Sequence, residues 1–240
     1  MNVNNIKNSR GDGRNLTFGL LEELGRAIVT GQFDHERFPT EDELTVRYAV
    51  SRTVTREAVK MLTAKGLLTA RPRAGTSILP PSAWSVFDPD VLRWLLERKF
   101  SLDLLRHFNE LRIAIEPHAA SLAARTQPGA AHEAIAMGLE RMEAAERGED
   151  DALEADIAFH IAILQASANP FFLQFRDMVA TALRTSIRFT NRFKTHGANV
   201  AAHRAVLHEI QARDSEGARL AMAAIIGDVM DFITTAAEKK

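Results

Sequence analysis

Apolar side chains recur every three to four positions along most of the chain, the signature of helices with one buried face. Residues 16–31 place Leu16, Leu20, Leu24, Ala27 and Ile28 at that spacing, and Gly31 is positioned to stop the helix. After the turn around Pro39, Thr40 and Glu43 make a capping box, with Thr40 as N-cap. The pattern predicts a short helix from there to about Tyr48, then a tight turn at Ala49-Val50. Ser51 caps a third helix whose buried stripe is Val54, Ala58, Val59, Met61 and Leu62, and Gly66 ends it. Two short apolar segments, Leu67 to Ala70 and Thr76 to Leu79, flank the basic turn Arg71 to Gly75 and predict a hairpin. Three helices followed by a small hairpin describe a winged helix-turn-helix.

Pro80-Pro81-Ser82 continues neither a strand nor a helix, so a domain boundary is expected there. Everything beyond reads as helix, in segments near 88–98, 101–126, 130–147, 150–167, 170–194, 199–213 and 215–237. Breaks at Gln127-Pro128-Gly129, Gly148, Asn169-Pro170, Gly197 and Asp214 separate most of them. The fold class is therefore mainly α. A polar arm at 1–15 leads into the winged helix at 16–79, a linker at 80–87 and an all-helical bundle at 88–240.

Composition narrows the class of protein. Cysteine is absent from the 240 residues, which excludes disulfides, thiolate metal sites and thiol nucleophiles. With 46% apolar and 25% charged residues, the chain matches a soluble globular protein. No apolar run approaches the ~20 residues of a membrane span. Met1 to Asn15 is polar and lacks a signal-peptide core, so a cytoplasmic protein is expected. The net charge of −1 hides an asymmetry: residues 1–80 carry twelve bases against nine acids. From Arg47 to Arg73 there are seven bases and the single acid Glu57. A polyanion partner fits the first third, and a solvated basic face is the plain alternative.

The bases are ordered. Arg52 and Arg56 lie four apart at the start of the third helix and share one face, opposite the apolar stripe. That helix presents Arg52, Thr53 and Arg56 from its N-terminal end, where a recognition helix meets base edges of double-stranded DNA. Arginine there pairs with guanine, and Thr53 or Thr55 reaches phosphate or base. Arg71 and Arg73, beside the flexible Ala74-Gly75, form a wing suited to backbone or minor groove.

PTEDELTVRYAVSRTVTREAVKMLTAKGLLTARPRAGTSI, from Pro39 to Ile78, resembles the GntR-type winged helix. The usual form there runs P-S-E-x-x-L, V-S-R-x-x-V-R-E-A-L, G-L and a basic G-T wing. The resemblance implies that Arg52 and Arg56 read an operator and that Gly75 belongs to the wing tip. Some relatives carry an arginine after the Ser-Glu or Ala-Glu pair. This chain has Asp42 there, so a contact from that position does not carry over.

In the helical domain Asp156 and His160 are spaced i, i+4 within EADIAFHIAIL, and both project from one face. Carboxylate plus imidazole suits zinc, manganese, iron or nickel, and the same spacing also serves a plain Asp–His hydrogen bond. His203, in VAAHRAVLHEI, is a candidate third ligand, while His208 and His196 are expected to meet solvent. Arg112 shares a helix face with Asn109 and Glu116. Its guanidinium fork fits the carboxylate of a small anion, and the alternative is a structural Arg112–Glu116 pair.

From about Asp88 to Thr235 the chain resembles the FCD effector domain of FadR-type GntR regulators, through ELRIAIEPHAASLAA, the Asp156–His160 pair, ASANPFF and AHRAVLHEI. The resemblance implies a divalent metal (zinc, nickel or manganese) on an aspartate and three histidines, a carboxylate effector, and a homodimer joined through this domain. Asp156, His160 and His203 match that ligand set, but Ile225 stands where the last histidine is usual. SAWSVFDPDVLRWLLE is similar to the galactonate-operon repressor branch, which implies a sugar-acid effector held by Arg112, Asn109, Asp156, His160 and His203. Together these readings imply a ligand-released repressor without a membrane partner. A metal-dependent enzyme on the helical domain is the other class weighed, because three ligands with open positions can activate water. It lacks a separate general base and a Gly-rich phosphate loop, and it has no use for a basic wing.

Overall fold

The computed structural model describes residues 13–71, 75–98, 101–190 and 199–238, and of the side chains at 13–14, 71, 187–190 and 237–238 nothing is described. It is mainly helical and forms two compact units, residues 1–99 and 100–240. Among the described residues, no helix is long and apolar enough to cross a membrane. The expected arm at 1–15 lies mostly outside the described residues.

The first unit contains α1 (Gly13–Val29), α2 (Glu41–Tyr48), α3 (Arg52–Ala64), β1 (Leu68–Arg71), β2 (Gly75–Ile78) and α4 (Pro89–Glu97). The capping box forms, with the Thr40 side chain accepting from the Glu43 N–H and the Glu43 carboxylate accepting from the Thr40 N–H. Ala49 turns the chain out of α2 in the left-handed region, φ 52°, and Ser51 caps α3. The strands pair antiparallel, Leu68 opposite Ile78 and Arg71 opposite Gly75. Leu20, Leu24, Ile28, Leu44, Val54, Ala58 and Leu62 close the core between the three helices.

One boundary differs from the expectation. The sequence placed 88–98 with the helical bundle, but α4 packs into the first unit. Trp94 is fully buried against α1, and a Cβ on Gly25 would stand 2.2 Å from its ring, so the glycine is what lets α4 seat. Lys65, at the end of α3, holds Asp88 at 2.7 Å and Asp90 at 2.8 Å, while Asp88 caps α4. Arg26 also meets Glu97 at 2.7 Å. An apolar anchor ringed by ion pairs thus outweighs the break at Pro80-Pro81.

The second unit is all helical: α5 (Leu102–Ala123), α6 (Ala130–Glu146), α7 (Ala152–Ala166), α8 (Pro170–Leu173), α9 (Arg176–Thr190), α10 (Val200–Gln211) and α11 (Ser215–Glu238). The single helix expected over 170–194 is divided. Tight bonds from Gln174 to Phe171 and from Phe175 to Phe172 close α8 before α9 starts. The residues at 191–194 lie outside those described. The core runs through Ala119, Ala123, Ile135, Leu139, Phe159, Ile163, Val206 and Met222, with Ile225 packed at its edge. α5 lies along α11, and α6 lies along α7.

α6 approaches α7 at Gly138, where a Cβ would fall 2.9 Å from the Phe159 Cα and 3.0 Å from its nitrogen. Backbone cannot yield as a side-chain tip can. Gly138→Ala should cost about 1–3 kcal/mol in urea unfolding despite its better helix propensity. Gly227→Ala, in α11 with open space around it, should stabilise by about 0.5–1 kcal/mol. Equal effects at the two positions would contradict the close α6–α7 approach.

Candidate functional site

On the first unit the exposed edge of α3 carries Arg52, Thr53 and Arg56, all turned to solvent. α2 is held against α3 by Thr45 and Thr55, whose hydroxyls lie 3.0 Å apart, and Thr55 Oγ1 also reaches the Ser51 carbonyl at 3.3 Å. Thr55 is fully buried, so it fixes the angle between the helices and does not reach for DNA. Arg52 is paired with Asp42, Nη2 to Oδ1, at 3.3 Å. At the hairpin, Gly75 opens β2 with φ +81° and open space about its Cα. The Arg71 backbone lies in β1, while its side chain and Arg73 lie outside the described residues.

In the second unit, α5, α7 and α10 bring six polar side chains together. Asp156 and His160 come from α7, one turn apart, and His203 from the first turn of α10. Asp156 Oδ1 lies 3.1 Å from His203 Nε2 and 3.5 Å from His160 Nε2, and the two Nε2 atoms are 3.3 Å apart. All three residues are buried, and their ligating atoms fall within 4.8 Å of one another.

The far side of each imidazole decides what its near side can do. His203 Nδ1 lies 2.8 Å from the Asn199 carbonyl, which only accepts, so Nδ1 carries the proton. His160 Nδ1 donates to Glu116 in the same way through a short contact. In the neutral rings the Nε2 lone pairs therefore face each other and Asp156. That carboxylate's Oδ1 is buried without a well-directed hydrogen bond. Three electron-rich atoms brought this close together match a cation site.

Arg112 forms the structural pair weighed as the alternative. Its Nε donates to Glu116 Oε1 at 2.5 Å, Nη2 lies 3.5 Å from Oε2, and Nη1 donates to Asn109 Oδ1 at 3.3 Å. Asn109 donates onward to the Leu105 carbonyl at 2.8 Å. Arg112 is 2% and Glu116 1% exposed, so the guanidinium fork is occupied inside the unit. Arg112 Nη2 still lies 3.5 Å from His160 Nε2, at the edge of the donor cluster.

Burial alone would raise the Glu116 carboxyl, but the charges of Arg112 and His160 and their hydrogen bonds hold it well below the usual range. Burial likewise pushes the His160 imidazole down, and the charge of Glu116, together with hydrogen bonding to the Asp156 and Glu116 carboxylates, drives it up well past its ordinary value. Asp156 is held low against its burial by the two histidines.

Glu116 is the residue that sequence reasoning undervalued. Its neighbour on the helix face, Arg112, was readable at i, i+4, but His160 lies 44 positions away. Asn199 acts through a backbone carbonyl and leaves no sequence signal beyond its cap position. His208 lies exposed beside Glu209, and His196 lies outside the described residues.

Comparison with known proteins covers both units. The family model of bacterial regulatory proteins, gntR family, matches residues 19–78, and the FCD domain model matches residues 108–228. The uncharacterized HTH-type transcriptional regulator YieP of Escherichia coli (strain K12) is 33% identical over 89% of this chain and 93% of its own. The galactonate operon transcriptional repressor of the same organism is 30% identical over 88% of this chain and 94% of its own. Among solved structures, E. coli McbR/YncC superposes with a TM-score of 0.51 at 16% identity, covering 92% of this chain and 98% of that one, a likeness of fold.

Glu116 neutralises Arg112 where water cannot. Glu116→Ala strands a buried guanidinium and should lower stability by about 3–5 kcal/mol in chemical denaturation. A midpoint unchanged from the parent would mean that Arg112 is solvated in solution.

Proposed function

Because the chain belongs to the GntR family of bacterial regulatory proteins and carries an FCD domain, it is a DNA-binding transcription regulator, and we propose that it is a repressor released from its operator by a sugar-acid carboxylate. The observation that carries this reading is the buried convergence of Asp156 Oδ1, His160 Nε2 and His203 Nε2, with the Asp156 oxygen left unsatisfied. Asp156, His160 and His203 would hold a divalent metal such as zinc, nickel or manganese, with Glu116 and the Asn199 carbonyl fixing the rings from behind. A metal bound there supplies a Lewis acid for a ligand carboxylate oxygen. Ile225, at the edge of the core, stands where the resemblance puts a last histidine, so a three-ligand set would leave positions open and hold a metal less tightly.

Arg112 would meet the ligand by sharing hydrogen bonds now given to Glu116, and Asn109 by sharing the one its amide gives the Leu105 carbonyl. The sugar-acid class draws support from the relative described as a galactonate operon repressor. On the reader, Arg52, Thr53 and Arg56 would face base edges, and the wing of Arg71, Arg73 and Gly75 the backbone or minor groove. Two copies in a homodimer, joined through the helical unit, would match two half-sites. A ligand shifts DNA occupancy only through unequal affinity for the two arrangements of the dimer.

An operator recovered from random duplexes by the wild-type protein supplies the probe. Arg56→Ala should lose about 1–3 kcal/mol of affinity for it. In gel shifts with an aldonate panel, His160→Ala and Asp156→Asn should bind DNA and stay bound where the wild type lets go. Release of both variants at the wild-type aldonate concentration would place the signal elsewhere. Light scattering at micromolar concentration should give the mass of a dimer, and a monomer would contradict the two-half-site reading.

A further inference from the structure

We propose that Asp42 is a specificity-determining residue of the DNA-reading face, acting by positioning the guanidinium of Arg52. The inference rests on α3 being the recognition helix. Asp42 sits in the first turn of α2, and Arg52 opens α3. The two helices are fixed against each other by the Thr45–Thr55 hydroxyl contact and by buried Leu44 and Val54. The carboxylate is therefore presented to Arg52 from a rigid platform, 3.3 Å from Nη2.

Magnitudes argue against a role in folding. The two side chains are 79% and 74% exposed, and an ion pair so solvated contributes roughly 0–1 kcal/mol. The balance changes when DNA covers the face and removes water. A carboxylate facing a polyanion is then tolerable only while it stays on its cation. Nη2 carries two hydrogens, so a contact with Asp42 through one leaves the other, with Nη1, for the acceptor edge of a guanine. The arginine is thereby oriented before it meets a base, and less rotamer freedom is lost on binding.

The neighbouring acids are otherwise engaged or turned away. Glu43 is held by Arg37 and the Thr40 N–H, and Glu41 makes no ion pair with α3 among the described residues. An acidic first turn on α2 also repels phosphate from a helix N-terminus that would otherwise attract it, which weakens binding to random sequence. A helix-dipole role for Asp42 would stabilise α2 just as well without Arg52. That difference makes the two roles separable.

The test is a double-mutant cycle. Wild-type protein selects duplexes from a random pool, and anisotropy then gives Kd for the best selected duplex and for a random duplex. The proteins compared are wild type, D42A, R52A and D42A/R52A, with D42N as a second variant that keeps the side-chain size. D42A and D42N should bind the random duplex more tightly, yet lose about five- to tenfold in the selected-to-random ratio. In the R52A background the same change should leave the ratio unmoved. The proposal is overturned if D42A shifts both affinities by one factor, or if the ratio falls equally with and without Arg52. A wild type that enriches no sequence would remove the recognition-helix reading and this proposal together.

Discussion

The chemistry of the helical unit depends on one buried carboxylate. Glu116 accepts from the Arg112 guanidinium on one side and from His160 Nδ1 on the other. In a dry interior neither cation nor imidazole is tolerable alone, and the shared carboxylate satisfies both. It also sets the proton of His160 on the outer nitrogen, which frees the inner one. Asp156 Oδ1 has no well-directed donor, and with both rings neutral it would face two lone pairs.

The DNA-reading unit is built on the opposite plan, with its polar groups outside and a continuous apolar centre. What extends it is Trp94, which brings α4 under α1, and Lys65, which ties the end of α3 to the start of α4. The helix that follows the Pro-Pro segment therefore moves with the reader. Burial makes the seating of α4 on α1 stiff, because the ring fills a space that only Gly25 leaves open.

Much of this was legible in the chain itself. The capping box at Thr40 and Glu43, the Ser51 cap and the stripe from Val54 to Leu62 are local. Spacing along one helix or a turn specifies them, and they formed as read except that Met61 is only half-buried. The Asp156–His160 pair is local in the same sense, since i, i+4 fixes a shared face whatever surrounds it. Family membership followed from such dense short-range motifs.

Tertiary structure decided the rest. Whether Glu116 also reached His160, whether Thr55 faced DNA or α2, and to which unit α4 belonged all turned on contacts between separate elements. Periodicity states that a face is buried but not against what. Sequence spacing cannot tell that the partner of His160 would be Glu116, 44 positions earlier, or that Asp42 would meet Arg52 across a helix turn. Those choices were settled by which side chains could share the same dry volume with their charges and hydrogen bonds satisfied, a condition written only in three dimensions.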